Sequence, residues 1–384
     1  MNKQLLTLIM LSILFMLSCE SDYNESEILK AKIQINFHDT GFNSSVLLIY
    51  NGELTNTVED SLAVDENHMV EFEIELMQSP DLYILQFSPT ESIRLVLSDE
   101  ETVVIDISEL PIVHNYSISG SKDSKLVLKY GKLISQRMSY HDSVYAQYRK
   151  YKGHRSHTNI AVITDSLLKK NYYKTYEDLK IMVLENNNSL ASLLGIYGKF
   201  GKAAILDFDY DYSTFKTLSD SLIKAYPHNS HAISLKIRVN QYSKDLKLAE
   251  IRYISLSKGN LFPSITLNTL SNGRVSINES TASRKLVYLW KPNTKGFYDF
   301  NKVLLEVNEK YSNDSLEIIA IAFMKDKLEW RNYCRMEKMN WVNMIADANT
   351  EDIINPKEEY SLIYLLDKDN NILDRINNID SLKL

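Results

Sequence analysis

The chain has 384 residues, of which 44% are hydrophobic and 24% charged, with a formal net charge of −7. That length suggests two or three domains of ordinary globular composition. The acidic balance and the lack of a long basic block argue against nucleic acid as a partner, because neutralising phosphates takes clustered Lys and Arg.

At the start, Lys3 precedes the nearly unbroken apolar run Leu5 to Leu17. That run is well short of the roughly 20 residues that span a bilayer, and it suits the apolar core of a secretory signal. It ends Met16-Leu17-Ser18-Cys19. This resembles the lipobox of bacterial lipoproteins, with Met16 where leucine is usual. The resemblance implies a signal peptide over 1–18, cleavage before Cys19 and acylation of that cysteine. Several acyl chains anchor a protein stably where one is marginal. Residues 19–28, with Glu20, Ser21, Asp22, Asn24 and Glu25, read as a polar tether. Acidic residues just after the cysteine resemble the surface-export signal of Bacteroidetes lipoproteins. The expected location is the cell envelope, lipid-anchored to the outer membrane on its periplasmic or surface face. With Cys19 acylated, Cys334 is the one cysteine left in the mature chain. No intramolecular disulfide and no thiolate zinc site are then expected.

Residues 29–120 hold KIQINF, SVLLIYN, MVEFEIEL, LYILQF, IRLVLS and TVVIDI. These short runs are rich in Val, Ile, Tyr and Phe and are separated by turn residues. They predict an antiparallel β sandwich. From 121 to 257 the apolar spacing becomes helical, starting at Leu126, Leu128, Tyr130, Leu133 and Ile134. Breaks fall at Lys152-Gly153, Asn186-Asn187-Asn188 and Tyr226-Pro227, and Ser213 and Asn229 read as N-caps. The helical segment is rich in tyrosine, including Tyr140, Tyr145, Tyr148, Tyr172, Tyr173 and Tyr176. Amphipathic packing is the plain account; an aromatic ligand groove is the sharper one.

Residues 258–384 alternate the two patterns. KLVYLW and LEIIAIAF are apolar runs of buried parallel-strand type. FYDFNKVLLEVNEKY between them has helical spacing, and KLEWRNYCRMEKM, Lys327 to Met339, follows as a second helix. SLIYLLD and NILDRI then read as a hairpin.

That order, with these residues, resembles the thioredoxin fold of the TlpA/ResA-type thiol-disulfide oxidoreductases. Pro263, Leu267 and Gly273 match the opening of such modules, and KLVYLW matches the strand that leads to their active site. DSLAVDENHMVEFEIEL and YSISGSKDSK resemble the β domain that precedes these modules in Bacteroidetes lipoproteins. The implied protein is multidomain: an N-terminal antiparallel β sandwich, an α-helical middle and a C-terminal α/β thioredoxin-like domain. The family chemistry needs Cys-Xaa-Xaa-Cys where strand turns into helix. There the helix N-terminus favours the thiolate, and the second cysteine resolves the mixed disulfide. The stretch LVYLWKPNTKGFYDF puts Thr294 and Phe297 at those two positions, and Ser361 at the position of the family's cis-proline. A trans bond is expected at Ser361.

Three features of the active site are absent together, which weighs against an enzyme. The first reading is a redox-inactive domain that binds a peptide or protein partner in a groove near Trp290, Asn293, Thr294 and Phe297, with no cofactor and no metal. The alternative is an enzyme, either a thiol-disulfide oxidoreductase of the TlpA/ResA type acting through a non-standard site at Cys334, on the helix from Lys327, or another activity hosted by the helical middle. No His or Lys is placed by the sequence to activate that thiol. A third reading is a structural envelope protein with no groove ligand.

Asp207, Asp209 and Asp211, and again Asp367, Asp369 and Asn371, have the spacing of a calcium loop. The glycine and glutamate an EF-hand requires are replaced by Tyr212 and Leu218 in one and Ile372 and Asn378 in the other. Helix capping and a hairpin turn are expected instead. His154 with His157, and His228 with His231, are spaced for a metal but have no third ligand, so surface histidines are expected. The triplets around Ser61, Ser143, Ser166, Ser221, Ser315 and Ser381 resemble the acceptor of Bacteroidetes O-glycosylation. Capping by Ser and Asp is the plainer account.

The anchor is tested by Cys19→Ala. The substitution is expected to abolish incorporation of labelled fatty acid and to move the protein from the membrane to the soluble fraction. Continued labelling refutes the assignment.

Overall fold

A computed structural model describes residues 28–38, 40–151, 157–271, 273–311, 315–347 and 349–382. The expected signal peptide, Cys19, nearly all of the tether, and His154 lie outside the described residues. The described chain forms two compact units that divide between Val239 and Asn240.

The first unit opens with eight strands: β1 (Lys30–Phe37), β2 (Ser45–Asn51), β3 (Asn56–Ala63), β4 (Met69–Glu75), β5 (Asp81–Ser88), β6 (Glu91–Leu97), β7 (Thr102–Ile107) and β8 (Tyr116–Ser119). They form two four-stranded sheets, ordered β4-β1-β7-β8 and β3-β2-β5-β6. Alternation decides which side chains face inward. Ile33 and Ile35 of β1, Phe72 and Ile74 of β4, and Val103 and Ile105 of β7 enter one core with Val46 and Leu48 of β2 and Leu95 of β6. The sandwich is not wholly antiparallel, as the sequence suggested. β1 and β7 run parallel, from Lys32 opposite Thr102 to Phe37 opposite Ile107. Alternation fixes the buried face but not the direction of the neighbouring strand.

Five helices follow: α1 (Lys122–Arg149), α2 (His157–Glu185), α3 (Ala191–Ile196), α4 (Tyr212–Ala225) and α5 (Ser230–Ser255). A two-residue pair, β9 (Lys199–Phe200) with β10 (Ala203–Ala204), lies between α3 and α4. The outer face of β5 and β6 gives Leu82 and Val96 to the helical core, with Leu179, Val183, Phe215 and Leu235. That is why β5 is buried on both faces at Asp81, Leu82 and Tyr83. Polar contacts fix the join. The Ser124 hydroxyl donates to the Val96 carbonyl at 2.7 Å. The Asn229 amide donates to the Pro80 carbonyl at 2.8 Å, and its oxygen accepts from the Ala232 N–H at 3.1 Å. Asn229 is thus the N-cap the sequence suggested. Ser213 is not: α4 begins one residue earlier and its cap position is Asp211.

The second unit carries β11 (Thr266–Thr269), β12 (Arg274–Ser276), β13 (Arg284–Trp290), α6 (Phe297–Tyr311), β14 (Leu316–Ala322), α7 (Lys327–Met336), β15 (Val342–Ile345), α8 (Thr350–Ile354), β16 (Leu362–Asp367) and β17 (Ile372–Ile376). The sheet order is β12-β11-β15-β14-β13-β16-β17. β13, β14 and β15 are parallel, whereas β16 and β17 are antiparallel. Two cores, one on each face, explain the unbroken apolar runs: Val287 and Leu289 enter one, Leu286, Tyr288 and Trp290 the other. The predicted helix from Lys327 stops at Met336, before Met339. Asp326 caps its start through the Leu328 and Glu329 N–H groups. The last turns of α5 lie in this unit. There the Tyr253 ring meets Lys357 Nζ at 3.6 Å and the Arg375 guanidinium at 4.4 Å.

Asn229 holds two partners at the join of sheet and helix. Asn229→Ala is expected to destabilise the first unit by about 1–3 kcal/mol, the cost of a lost cap and an unmet buried carbonyl. Urea unfolding followed by circular dichroism measures it.

Candidate functional site

The candidate site is the elbow between β13 and α6. Strand β13 is buried from Lys285 to Trp290, and the Trp290 carbonyl accepts from the Phe323 N–H at 2.9 Å. The chain then reverses with two residues in the left-handed region, Asn293 at φ +59° and Gly296 at φ +83°. Asparagine and glycine tolerate that conformation best. The Thr294 hydroxyl donates to the Lys291 carbonyl at 2.7 Å, and the Thr294 carbonyl accepts from the Phe297 N–H at 3.2 Å. Threonine therefore closes the turn.

Phe297 is the first residue of α6 and is fully buried. Its ring stacks on Trp290, with centroids 5.2 Å apart and planes at 27°. Tyr333 meets both rings edge-on, at 6.2 and 6.4 Å. Trp290 was expected to line a groove. It is instead fully buried, because the rings of Phe297 and Tyr333 cover it. Asn293 is exposed and Thr294 partly so.

Ser361 joins this cluster. A β-carbon placed on Gly296 would lie 3.6 Å from the Ser361 Cβ. Ser361 is buried at φ +59°, and its hydroxyl has no hydrogen-bond partner among the described residues. Among the described residues the only cis peptides precede Pro80 and Pro111, so the bond before Ser361 is trans. The structure thus brings Trp290, Asn293, Thr294, Phe297 and Ser361 to one place.

No pattern in the sequence singles out Tyr333 or Tyr360. Tyr333 lies one residue before Cys334 on α7 and borders an open depression of about 390 Å³. Tyr360 carries Lys291 Nζ 5.0 Å from its ring centre and donates from its hydroxyl to the Glu351 carboxylate. Burial pushes the Glu351 carboxyl above the usual carboxylate range, and the nearby Glu358 adds to the rise. Tyrosines this frequent in a chain cannot be sorted into lining and packing by spacing alone.

The chemistry available is limited. Thr294 spends its proton on a backbone carbonyl, and no imidazole or carboxylate is hydrogen-bonded to it among the described residues. Cys334 is 3% exposed, and burial pushes its thiol up to about 12. Such a thiol stays protonated and is a poor nucleophile. Among the described residues no group of three His, Cys, Asp or Glu side chains could hold a metal. The acidic loops have local partners. Asp207 accepts from the Asp209 and Tyr210 N–H groups, and Asp367 accepts from those of Asp369 and Asn371. Two histidines depart from expectation. His157 opens α2 and sits 2.9 Å from the Tyr148 hydroxyl. The His231 side chain is only 10% exposed, 3.6 Å from Asp81.

No family model and no curated protein matches the chain. Among solved structures, it is similar to the thioredoxin domain of a thiol-disulfide oxidoreductase from Bacteroides vulgatus, at 18% identity and TM-score 0.31. That match covers 32% of this chain and 91% of that one. It is similar to a thiol:disulfide interchange protein from Bacteroides sp. at 19% identity and TM-score 0.30, covering 32% and 82%. A thiol-disulfide oxidoreductase from Bacteroides fragilis matches at 16% identity and TM-score 0.28, covering 30% and 89%.

Phe297 fills the elbow, so Phe297→Ala is expected to cost about 3–5 kcal/mol, the range for a large buried aromatic. Thermal unfolding of the variant checks it. A change below about 1 kcal/mol would show the stack to be dispensable.

Proposed function

We propose that the protein is a lipid-anchored component of the cell envelope whose thioredoxin-like C-terminal unit is redox-inactive and binds a peptide or protein partner. The observation that carries the reading is the elbow itself. Its first position is a threonine closing a turn, and its second is a phenylalanine packed into the core. Neither residue can exchange with a disulfide. The surface around the elbow keeps groups suited to recognition. Lys291 and Asn293 are exposed, Tyr360 is half-buried beneath Lys291, and the depression at Tyr333 adjoins the same aromatic cluster. Extended polypeptide suits such a surface because amide and aromatic groups can each engage it. Catalysis through Cys334 is disfavoured by the burial and raised pKa of its thiol.

Insulin reduction with a dithiol donor tests redox inactivity. The wild-type protein and Cys334→Ala are both expected to stay at background. Alkylation of Cys334 is expected to be slow at pH 8 and complete in denaturant, since a pKa raised to about 12 leaves little thiolate in the folded chain. Turnover that disappears in Cys334→Ala overturns the proposal. Crosslinking in intact cells tests the partner: adducts should fall with Thr294→Trp, which obstructs the elbow surface. Adducts indifferent to that change place the partner elsewhere.

A further inference from the structure

The first unit contains a cavity of about 390 Å³ bordered by the turn after β2, strand β5 and helices α3 and α5. That is the size range of small-molecule sites. Its apolar wall is Leu82, Leu193, Leu194 and Leu235, of which Leu82, Leu193 and Leu235 are buried.

Two opposite charges border the same cavity. Arg238 comes from α5, with its guanidinium 4.0 Å from the centre of the Phe208 ring. Stacking on an aromatic face fixes the plane of the guanidinium and leaves its in-plane N–H donors available. Among the described residues Arg238 has no carboxylate partner within ion-pair distance. Glu53 comes from the turn after β2 and accepts a hydrogen bond from the Ser234 hydroxyl. That single bond leaves acceptor capacity on its carboxylate.

His231 borders the cavity as well, and Asp81 on β5 lies beside it. The Asp81 carboxylate is fully buried and accepts from the Leu82 N–H at 2.8 Å and the Gln78 amide at 3.1 Å, both on Oδ1. His231 faces it at 3.6 Å, beyond hydrogen-bond length. Neither Asp81 Oδ2 nor His231 Nε2 has a hydrogen-bond partner among the described residues. Buried polar atoms in a folded protein are nearly always satisfied. His231 therefore has spare polar capacity beside a space large enough to hold a ligand.

A guanidinium fork matches a carboxylate, a carboxylate matches an ammonium, and four leucines match an aliphatic side chain. We infer that this cavity binds an apolar α-amino acid zwitterion, either free or as a short peptide, through Arg238, Glu53 and the leucine wall. The inference is independent of the elbow and of any partner bound there.

Isothermal titration of the purified protein tests it with four probes: L-leucine, leucyl-leucine, 4-methylpentanoate (no ammonium) and isopentylamine (no carboxylate). Saturable binding of at least one zwitterion is expected, with each half-ligand at least tenfold weaker. The tighter of the first two identifies the source, free amino acid or peptide. Arg238→Gln and Glu53→Gln are each expected to weaken that binding at least fivefold. Both residues are exposed, so both variants should fold. Should Arg238→Gln fail to fold, Arg238→Lys keeps the charge, removes the fork and should still weaken binding. No saturable binding of either zwitterion overturns the inference, as does binding indifferent to both substitutions.

Discussion

The C-terminal unit depends on the stack of Phe297 on Trp290. Strand β13 is covered on both faces, so its last residue must end under something apolar. The first residue of α6 provides that cover. Burying a phenylalanine side chain contributes about 1.5–3 kcal/mol, and a well-oriented aromatic pair adds about 0.5–1.5 kcal/mol. The attraction of a helix N-terminus for a negative charge is smaller, about 0.3–1 kcal/mol at the surface. At this elbow the packing term dominates. The start of α6 is a place where the rings of Trp290, Phe297 and Tyr333 interlock.

Much of this was readable in the sequence, and the reasons are physical. β13, β14 and β16 announced themselves as continuous apolar runs because both of their faces are covered. β4 announced itself by strict alternation, since only one face is covered. Strand β3 gave neither signal. It is a sheet edge whose residues are exposed, apart from a partly buried Leu62. β15 is four residues long and carries the polar Asn343, while α8 is five residues long. Elements that short offer no period to detect. The parallel pairing of β1 with β7 was hidden for another reason: register and direction belong to two strands at once, and a pattern in one strand cannot state them.

The elbow was legible in residue type but not in burial. Thr294 and Phe297 could be aligned by counting from Trp290, and Ser361 by its place before the terminal hairpin, and the structure brings them together. Whether an aromatic at the end of a strand covers a groove or is itself covered depends on Tyr333, which approaches from α7. His231 was misread for a similar reason. Its neighbour in sequence, His228, suggested a surface pair, whereas its neighbour in space is Asp81 on β5.

Asp81 and Asp211 separate scaffold from site. Both are buried carboxylates in the first unit. Asp211 is completed from within: one oxygen takes the Tyr176 hydroxyl and Lys180 Nζ, the other the Asp207 N–H. A charged group with each oxygen engaged gains about 1.5–3 kcal/mol per hydrogen bond and has no need of an outside partner. Asp81 has both its bonds on one oxygen, and the imidazole beside it stands too far away to complete the other. The same residue type, equally buried, thus has each oxygen engaged in one place and its two bonds from Gln78 and Leu82 on a single oxygen in the other. The imidazole beside Asp81, that of His231, borders the cavity lined by Arg238, Glu53 and four leucines. Burial by itself does not mark a site; incomplete polar satisfaction beside empty space does.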